Sequence, residues 1–377
     1  MKRWFDATLS GLFVILLVGT LIVFVACDAV AEDAKFSPEK RAQIEAAVSK
    51  FMAAKHIPGV SVAVVENGQF VWSSGFGMAD LENSVPATSQ TLYRLASVSK
   101  PITAVAAMQL WQQGKLNLDA LVQKYCPAFP EKPEGPITTR ELLSHMAGIR
   151  HYQLGQALDP QIASIKHLKD PIPEGLEFFK NDALVSRPGA EFHYSTYGYS
   201  LIGCVIEAAS GSKYVDYVTK SVLTPAGMSS TQADDRFAII PRRTRFYQKD
   251  ENGHVLNADF LDSSYKIPGG GWLASAEDMA RFEVAILNDT LVKRSTRDLM
   301  WTATLDKDGG GYGLGWGVSK QGDTVTFSHN GGQQGTSTLI AVVPEQKLGI
   351  VVLINMEAVD EEPLRLELLK ILKAGSK

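Results

Sequence analysis

Patterns typical of β-strands occur near both ends of this 377-residue chain, and a long region of helical periodicity separates them. The strand-like segments lie at residues 60–65, 69–74, 325–328, 337–343 and 348–355. The turn between the first two contains Asn67-Gly68, a pair that strongly favours a hairpin. Helical spacing of apolar residues is found at 103–113, 139–145, 199–209, 214–222 and 276–287. Strands at both ends predict one sheet domain that a mainly helical lobe interrupts.

The same pattern divides the body of the chain into two lobes. Residues 32–96 and 288–377 are expected to form the sheet domain, and residues 97–287 the helical lobe. A helix is expected to begin at Pro38, after an N-cap serine, and a last helix to cover residues 361–373. Ligands bind preferentially in clefts between two lobes, so we expect the active site in the cleft between the sheet domain and the helical lobe.

The amino end has the pattern of an export segment. Two basic residues precede an uncharged apolar run over residues 7–27. Cleavage after Ala31 and lipidation at Cys27, which ends a segment similar to a bacterial lipobox, are two possible outcomes. The run is about 21 residues long, close to the roughly 20 that span a bilayer, so retention as an anchor is a third. We expect residues 1–31 to be a signal peptide or membrane anchor, and the body to be periplasmic or secreted.

The charge balance argues against one broad class of function. The chain has 37 Lys and Arg against 41 Asp and Glu, a formal net charge of −4. A general nucleic-acid binder normally shows a basic face. The expected partners are therefore small-molecule or peptide substrates, with membrane contact through the amino-terminal segment, and the oligomeric state stays open.

Beyond the apolar run, the chain has two cysteines, Cys126 and Cys204. An exported protein can hold a disulfide, because it leaves the reducing cytoplasm. Two separate buried thiols are equally compatible with the sequence. Both alternatives stay open at this stage.

Ser97-x-x-Lys100 is the first candidate for chemistry. Residues three apart share one face of a helix, so these two side chains are expected to lie about one turn apart. A serine hydroxyl is a weak nucleophile that needs a neighbouring base. A desolvated lysine can act as that base, because burial lowers its pKa. The helix N-terminus adds partial positive charge near the reacting centre.

Two later segments supply possible partners for Ser97. Tyr194 precedes a predicted helix, and a tyrosine near a lysine cation would lose its proton more easily and relay protons. Gly331 and Gly332 follow a predicted strand, where glycine lets another backbone or a substrate approach closely. A free N–H there, with the N–H of Ser97, would form an oxyanion hole. For Tyr197 and Tyr199 we expect packing in the core.

Together these motifs resemble the class C β-lactamase and D,D-peptidase group of penicillin-binding-type serine hydrolases, which includes esterases and mitochondrial serine β-lactamase-like proteins. The order Ser97-x-x-Lys100, Tyr194-x-Thr196, His329-x-Gly331 carries the resemblance. Further segments that fit lie at 137–149, 188–189, 270–275 and 312–316. The resemblance implies an α+β fold of the β-lactamase/transpeptidase type. Its antiparallel sheet would be flanked by N- and C-terminal helices and accompanied by a mainly helical lobe.

The resemblance also implies a role for each site residue. Ser97 would be the acylated nucleophile and Lys100 would assist its deprotonation, while Tyr194 relays protons to the leaving group and from the attacking water. The N–H groups of Ser97 and Gly332 would form the oxyanion hole. His329 would help to bind a substrate carboxylate or adjust Tyr194.

The remaining members of the implied substrate-binding set are Thr196 and Gly331. Two positions depart from the common β-lactamase pattern, because Thr196 stands in place of asparagine and His329 in place of lysine. The histidine would make a fixed positive charge dependent on pH. If a charged His329 holds a substrate carboxylate, activity toward acidic substrates should fall as His329 deprotonates. Both departures weaken a dedicated β-lactamase and suit a peptidase or esterase.

No metal or cofactor is expected. His145 and His151 lie near each other in the sequence, but no further ligand pattern completes a site, and a structural role is expected for His145. The favoured function is an exported serine hydrolase that forms an acyl-enzyme on a D-amino-acid peptide, a β-lactam or a short acyl ester. The alternative is a non-enzymatic or slow-turnover penicillin-binding or assembly protein with the same fold.

Overall fold

Strands from both ends of the described chain pair in one antiparallel sheet. The computed structural model describes residues 36–152, 167–303 and 308–374. Its strands are β1 (Gly59–Glu66), β2 (Gln69–Asp80), β3 (Val85–Pro86), β4 (Tyr93–Arg94), β5 (Gln232–Ala233), β6 (Tyr247–Lys249), β7 (Val255–Asn257), β8 (Trp272–Ala274), β9 (Gly310–Tyr312), β10 (Gly317–Gln321), β11 (Thr324–Gln333), β12 (Thr336–Val343) and β13 (Leu348–Ile354). The main sheet has the order β3-β2-β1-β13-β12-β11-β10-β9. The expected antiparallel α+β architecture is therefore confirmed.

The predicted leader lies outside the described residues, and with it the alternatives at Ala31 and Cys27. Among the residues that the structure describes, no helix is both long and apolar enough to cross a bilayer. The described body is a single unit that begins at Phe36.

Helices cover both faces of the central strands. They are α1 (Pro38–Lys55), α2 (Ser99–Gln112), α3 (Thr139–Leu143), α4 (Pro171–Leu176), α5 (Thr196–Ser210), α6 (Tyr214–Val218), α7 (Thr224–Ala226), α8 (Ile267–Gly270), α9 (Ala276–Leu287), α10 (Arg294–Met300) and α11 (Glu362–Lys373). Helix α1 begins where the sequence predicts, since the Ser37 hydroxyl accepts the Lys40 N–H at 3.4 Å and Pro38 occupies the first turn. Helices α1 and α11 contact each other and share one apolar cluster with the sheet.

The residues of β1 alternate between two apolar cores. Val60, Val62 and Val64 pack toward α1 and α11, whereas Ala63 and Val65 pack with the helical lobe. Successive side chains of a strand point to opposite faces, and here both faces are covered. This explains why β1 is a nearly continuous apolar run and why the first strand of the chain pairs with the last, β13.

Helix α9 packs differently from the division that the sequence suggests. Its residues fall inside the predicted 97–287 helical lobe, yet it lies against β1, β2 and β13 of the sheet. Apolar periodicity reveals that a helix has a buried face, but not which element covers that face. Three short strands, β4, β8 and β5, also form a small sheet within the predicted helical region.

Cys126 and Cys204 form a disulfide, with Cα atoms 5.8 Å apart. The bond joins the turn that follows Val122–Lys124 to helix α5 and closes a loop of 78 residues. Of the two alternatives that the sequence leaves open, the structure therefore has the disulfide.

Glu283 of α9 is a fully buried carboxyl whose pKa burial raises well above its usual value. The folded protein therefore holds a proton that the unfolded chain loses, so stability decreases as pH rises above the unfolded pKa. Glu283→Gln should remove this dependence and raise the free energy of unfolding at pH 8 by about 1 kcal/mol or more, since one pKa unit is worth about 1.4 kcal/mol. Urea unfolding at pH 5 and pH 8 measures the effect.

Glu345→Gln, at an exposed position of the 3-10 turn after β12, is the matched control and should leave the pH dependence unchanged. Equal destabilisation of Glu283→Gln at both pH values would show that the carboxyl is not held protonated by its burial.

Candidate active site

Ser97 and Lys100 lie one turn apart, as their spacing predicts. Ser97 is in the 3-10 turn Ala96–Val98, which runs directly into α2. Ala96 has a φ of +47°, a left-handed conformation that is costly for alanine and is often kept at functional sites. The Lys100 Nζ lies 3.1 Å from the Ser97 Oγ. The turn therefore places the hydroxyl directly at the amine.

Lys100 is completely buried, and its amine has three contacts. Besides the Ser97 Oγ, the Nζ contacts the Thr196 Oγ1 at 3.1 Å and the Gly269 carbonyl at 2.7 Å. Burial, with a contribution from the nearby Lys266 charge, holds the pKa of Lys100 well below its usual value and so favours the free amine. Its two N–H groups then donate to Thr196 and Gly269. The lone pair is left for the proton of Ser97.

Tyr194 borders the same hydroxyl group. Its ring centroid lies 4.7 Å from the Lys100 Nζ, and its hydroxyl is close enough to Ser97 for the two groups to interact. The prediction that a lysine cation makes this phenol more acidic is wrong. Desolvation raises the pKa of Tyr194 far above its usual value, and the same burial disfavours the Lys100 cation. Tyr194 is therefore placed to exchange protons as a neutral phenol.

Two histidines, the buried His145 and the partly buried His151, hold the segment that carries Tyr194. The Ser195 N–H donates to the His145 Nδ1 at 3.1 Å, and the Thr196 N–H donates to the His151 Nδ1 at 3.2 Å. Burial lowers the pKa of both imidazoles, that of His151 to about 3, so each stays neutral and can accept. His145 thus has the structural role expected, whereas sequence reasoning gave His151 none.

Strand β11 passes close to the nucleophile at Gly331. A Cβ on Gly331 would lie 2.9 Å from the Ser97 nitrogen and 2.5 Å from the Leu95 carbonyl oxygen, so this approach requires glycine. At the exposed Gly332, a Cβ would meet no atom within 4 Å. The close approach of Gly331 to Ser97 and the open space at Gly332 fit the predicted oxyanion hole. The assignment of the Ser97 and Gly332 N–H groups as its donors stays a prediction.

His329 is buried beside the site and fully hydrogen-bonded. Its Nδ1 donates to the Asn330 carbonyl at 2.6 Å, and its Nε2 accepts from the Tyr312 hydroxyl at 2.9 Å. Burial is the largest cause that lowers the pKa of His329, to about 3. The expectation that His329 changes charge in the physiological range is therefore wrong. A neutral imidazole offers no charge to a substrate carboxylate.

The pH profile tests this assignment of His329. From pH 5 to pH 8 the histidine stays neutral. The ratio of the rate on an acidic substrate to the rate on a neutral substrate should therefore not depend on the protonation of His329. The profiles of the wild type and of His329→Gln, measured with one acidic and one neutral ester, should follow the same shape. A change in that ratio centred near pH 6.5, present only in the wild type, would contradict the neutral assignment.

Several residues at the site were not identified from the sequence. Tyr312 contacts His329, and Tyr152 and Lys266 lie close enough to influence Thr196 and Lys100, respectively. The aromatic and glycine residues around Tyr312 mark that segment in the sequence, whereas no sequence pattern marks Lys266. Tyr197 and Tyr199 are buried, as predicted. Among the described residues, no group of three or more His, Cys, Asp or Glu side chains is placed to hold a metal ion.

Comparisons with known proteins agree with this geometry. A family model described as Beta-lactamase matches residues 44–373. The serine beta-lactamase-like protein LACTB, mitochondrial, of Homo sapiens is 33% identical over 380 residues, covering 77% of this chain and 69% of that protein. Protein flp of Staphylococcus aureus is 27% identical over 339 residues, covering 86% of this chain and 65% of that protein.

Solved structures share the fold. The octameric penicillin-binding protein homologue from Pyrococcus abyssi has a TM-score of 0.78 at 27% identity, over 89% of this chain and 77% of that one. The D-amino acid amidase from Ochrobactrum anthropi SV3 has a TM-score of 0.77 at 21% identity, over 89% of this chain and 99% of that one. At that lower identity the likeness shows the fold alone.

Proposed function

The chain belongs to the β-lactamase family and is a serine hydrolase, and we propose that it forms an acyl-enzyme at Ser97 on an amide or ester substrate. The observation that carries the proposal is the arrangement of contacts at Lys100. A buried amine whose N–H groups are both engaged by other acceptors can offer only its lone pair to the Ser97 hydroxyl. That is the arrangement of a general base beside its nucleophile.

In the acylation step, the Ser97 Oγ attacks the substrate carbonyl carbon and its proton passes to the Lys100 amine. The negative charge on the carbonyl oxygen would be stabilised by the N–H groups of Ser97 and Gly332. The Lys100 ammonium then returns the proton, through the Tyr194 hydroxyl, to the departing amine or alcohol. In deacylation, water gives a proton to Lys100 by the same route and attacks the ester, and Ser97 leaves with that proton.

Thr196 bears on the choice of substrate. Its hydroxyl keeps the contact with Lys100 at 3.1 Å, so the base is supported without the asparagine common in β-lactamases. A threonine hydroxyl has one donor on a short side chain, whereas the amide of asparagine has two N–H donors and a separate acceptor oxygen that extend further toward a substrate acylamide group. This supports a peptidase or esterase acting on a D-amino-acid peptide or a short acyl ester over a dedicated β-lactamase. The contacts of Lys100 with Ser97, Thr196 and Gly269 also support turnover over a non-enzymatic binding role.

A substrate panel tests this proposal. The wild type and Ser97→Ala are compared on nitrocefin, D-Ala peptides and short nitrophenyl esters. We expect the wild type to turn over an ester or a D-Ala peptide faster than nitrocefin, and Ser97→Ala to turn over none. Equal turnover by both proteins would overturn the role of Ser97, and faster turnover of nitrocefin than of every other substrate would overturn the preference.

We also propose that the body works outside the cytoplasm. The apolar run over residues 7–27 and the Cys126–Cys204 disulfide support this, because disulfides persist in oxidising compartments. Cell fractionation, with mass spectrometry of the amino end, would locate the protein and separate cleavage after Ala31, lipidation at Cys27 and retention. Recovery of the full-length chain in the cytosol with free thiols would contradict export.

A further inference from the structure

We propose that Lys266 and Gln333 form a subsite beside Ser97 that binds a carboxylate group of the substrate. This inference rests on the proposed function, because it concerns a group attached to the acyl chain that Ser97 receives.

Lys266 is a second buried lysine at the site. It ends the 3-10 turn Ser264–Lys266, immediately before the short helix α8 that supplies the Gly269 carbonyl to Lys100. Only 1% of its surface is exposed, and its Nζ makes no hydrogen bond to any described residue. The nearest aromatic rings, those of Tyr152 and Tyr265, lie 5.1 and 5.4 Å from the Nζ. A buried ammonium without a hydrogen-bonding anion is costly, which favours an incoming negative group.

Gln333 is a second polar side chain without a partner. It lies two residues after Gly331 on β11, so its side chain projects from the same face of the strand, toward the Ser97 turn. It is 8% exposed, and neither its Nε2 nor its Oε1 has a hydrogen-bond partner among the described residues. Buried amides are nearly always hydrogen-bonded, and those that are not call for an explanation. A ligand at this point would supply the missing bonds.

The two side chains converge at Gly270. A Cβ on Gly270 would lie 3.6 Å from the Gln333 Oε1, 3.6 Å from the Lys266 Cδ and 3.7 Å from the Ala96 carbonyl carbon. Ala96 directly precedes the nucleophile, so the Gln333 amide oxygen and the aliphatic chain of Lys266 meet beside the Ser97 turn. Gln333 directly follows Gly332, where a Cβ would meet no atom within 4 Å.

The charges around Lys266 select an anion. Asp234, whose charge acts on Lys266, is already paired with Arg94 at 2.8 Å and with Arg243 at 3.3 Å. Burial and the Arg94 charge lower the pKa of Lys266 to about 7. Lys100 and His151, which the Lys266 charge also affects, are basic side chains and offer Lys266 no negative charge. A bound carboxylate would therefore favour the Lys266 ammonium and accept hydrogen bonds from it and from the Gln333 amide.

The opposite end of the site does not suit a carboxylate. There the cavity beside the neutral His329 is also lined by Asp360, Glu361 and Glu362, three acidic side chains, of which burial raises the pKa of Glu361 to about 8. An acidic group on the substrate is therefore better accommodated at Lys266 than at His329, the position that sequence reasoning assigned to it.

The test uses two esters that differ only in charge, 4-nitrophenyl hydrogen adipate and the matched ester that ends in a primary amide. The ratio of their kcat/KM values is measured at pH 6 for the wild type, Lys266→Met and Gln333→Met. If either substitution alters Lys100, it changes the kcat/KM values of both esters by the same factor, and that factor cancels in the ratio. The exposed Lys320→Met is the matched control.

We expect the wild type and Lys320→Met to prefer the acid, and both subsite variants to lose that preference by about tenfold, mainly through KM. An unchanged ratio in both subsite variants, or no preference in the wild type, would overturn the subsite. Labelling of Ser97 by a fluorophosphonate separates the two proposals. Labelling with an unchanged ratio rejects the subsite alone, whereas absence of labelling in the wild type rejects the proposed function and the subsite with it.

Discussion

Ser97→Ala is expected to lower kcat/KM by about 10⁶-fold on any substrate that the wild type turns over, because the covalent route is lost with its nucleophile. The Lys100 Nζ would then have lost the Ser97 hydroxyl, the nucleophile at 3.1 Å from which it takes a proton. Binding contacts and the oxyanion donors would remain, so KM should change much less than kcat. Steady-state kinetics with a short nitrophenyl ester measures both constants.

Ser99→Ala is the control for that substitution. Ser99 lies two residues further on, is buried, and its Oγ accepts the Trp272 N–H at 3.4 Å rather than facing Lys100. We expect less than a tenfold change in kcat/KM for this variant. Equal losses in the two variants would indicate damage to the start of α2 rather than removal of a nucleophile.

Lys100→Met is expected to lower kcat/KM by about 10³- to 10⁴-fold, the upper part of the range for loss of a general base. The methionine fills a similar volume in the buried site but has no lone pair basic enough to accept the Ser97 proton. A base must be neutral to act, so wild-type activity should be lost as pH falls through the lowered pKa of Lys100 and be retained above it. This acid limb should be absent from the residual activity of Lys100→Met.

Lys100→Arg separates a base from a fixed charge. Arginine keeps a positive charge at this position but is not deprotonated in proteins. We expect it to be about as inactive as Lys100→Met. Substantial activity in Lys100→Arg would mean that position 100 acts as a cation and would contradict the neutral-amine mechanism.

The fold follows from local patterns to a large extent. The nearly continuous apolar run of β1 carries the information that both of its faces are buried, and the three-residue spacing of Ser97 and Lys100 fixes their relative placement once α2 forms. The packing partner of α9 could not be read in the same way, because its amphipathic pattern fits a sheet and a helical bundle equally well.

The protonation states at the site were much less accessible from the sequence. Those of His329 and Tyr194 depend on desolvation by residues far away in the chain, which composition and spacing do not encode. Lys266 illustrates the same limit. It stands in an ordinary Ser-Tyr-Lys segment, and only the tertiary structure shows that it is buried beside Lys100.

The most direct test of the acyl-enzyme mechanism is mass spectrometry of the protein after reaction with a fluorophosphonate. The Ser97 oxygen should displace fluoride and retain the phosphonyl group, giving one adduct per chain on the peptide that contains Ser97. We expect this adduct in the wild type, much slower formation in Lys100→Met and none in Ser97→Ala. An adduct that persists in Ser97→Ala, or a wild type that forms none, would contradict the assignment of Ser97 as the nucleophile.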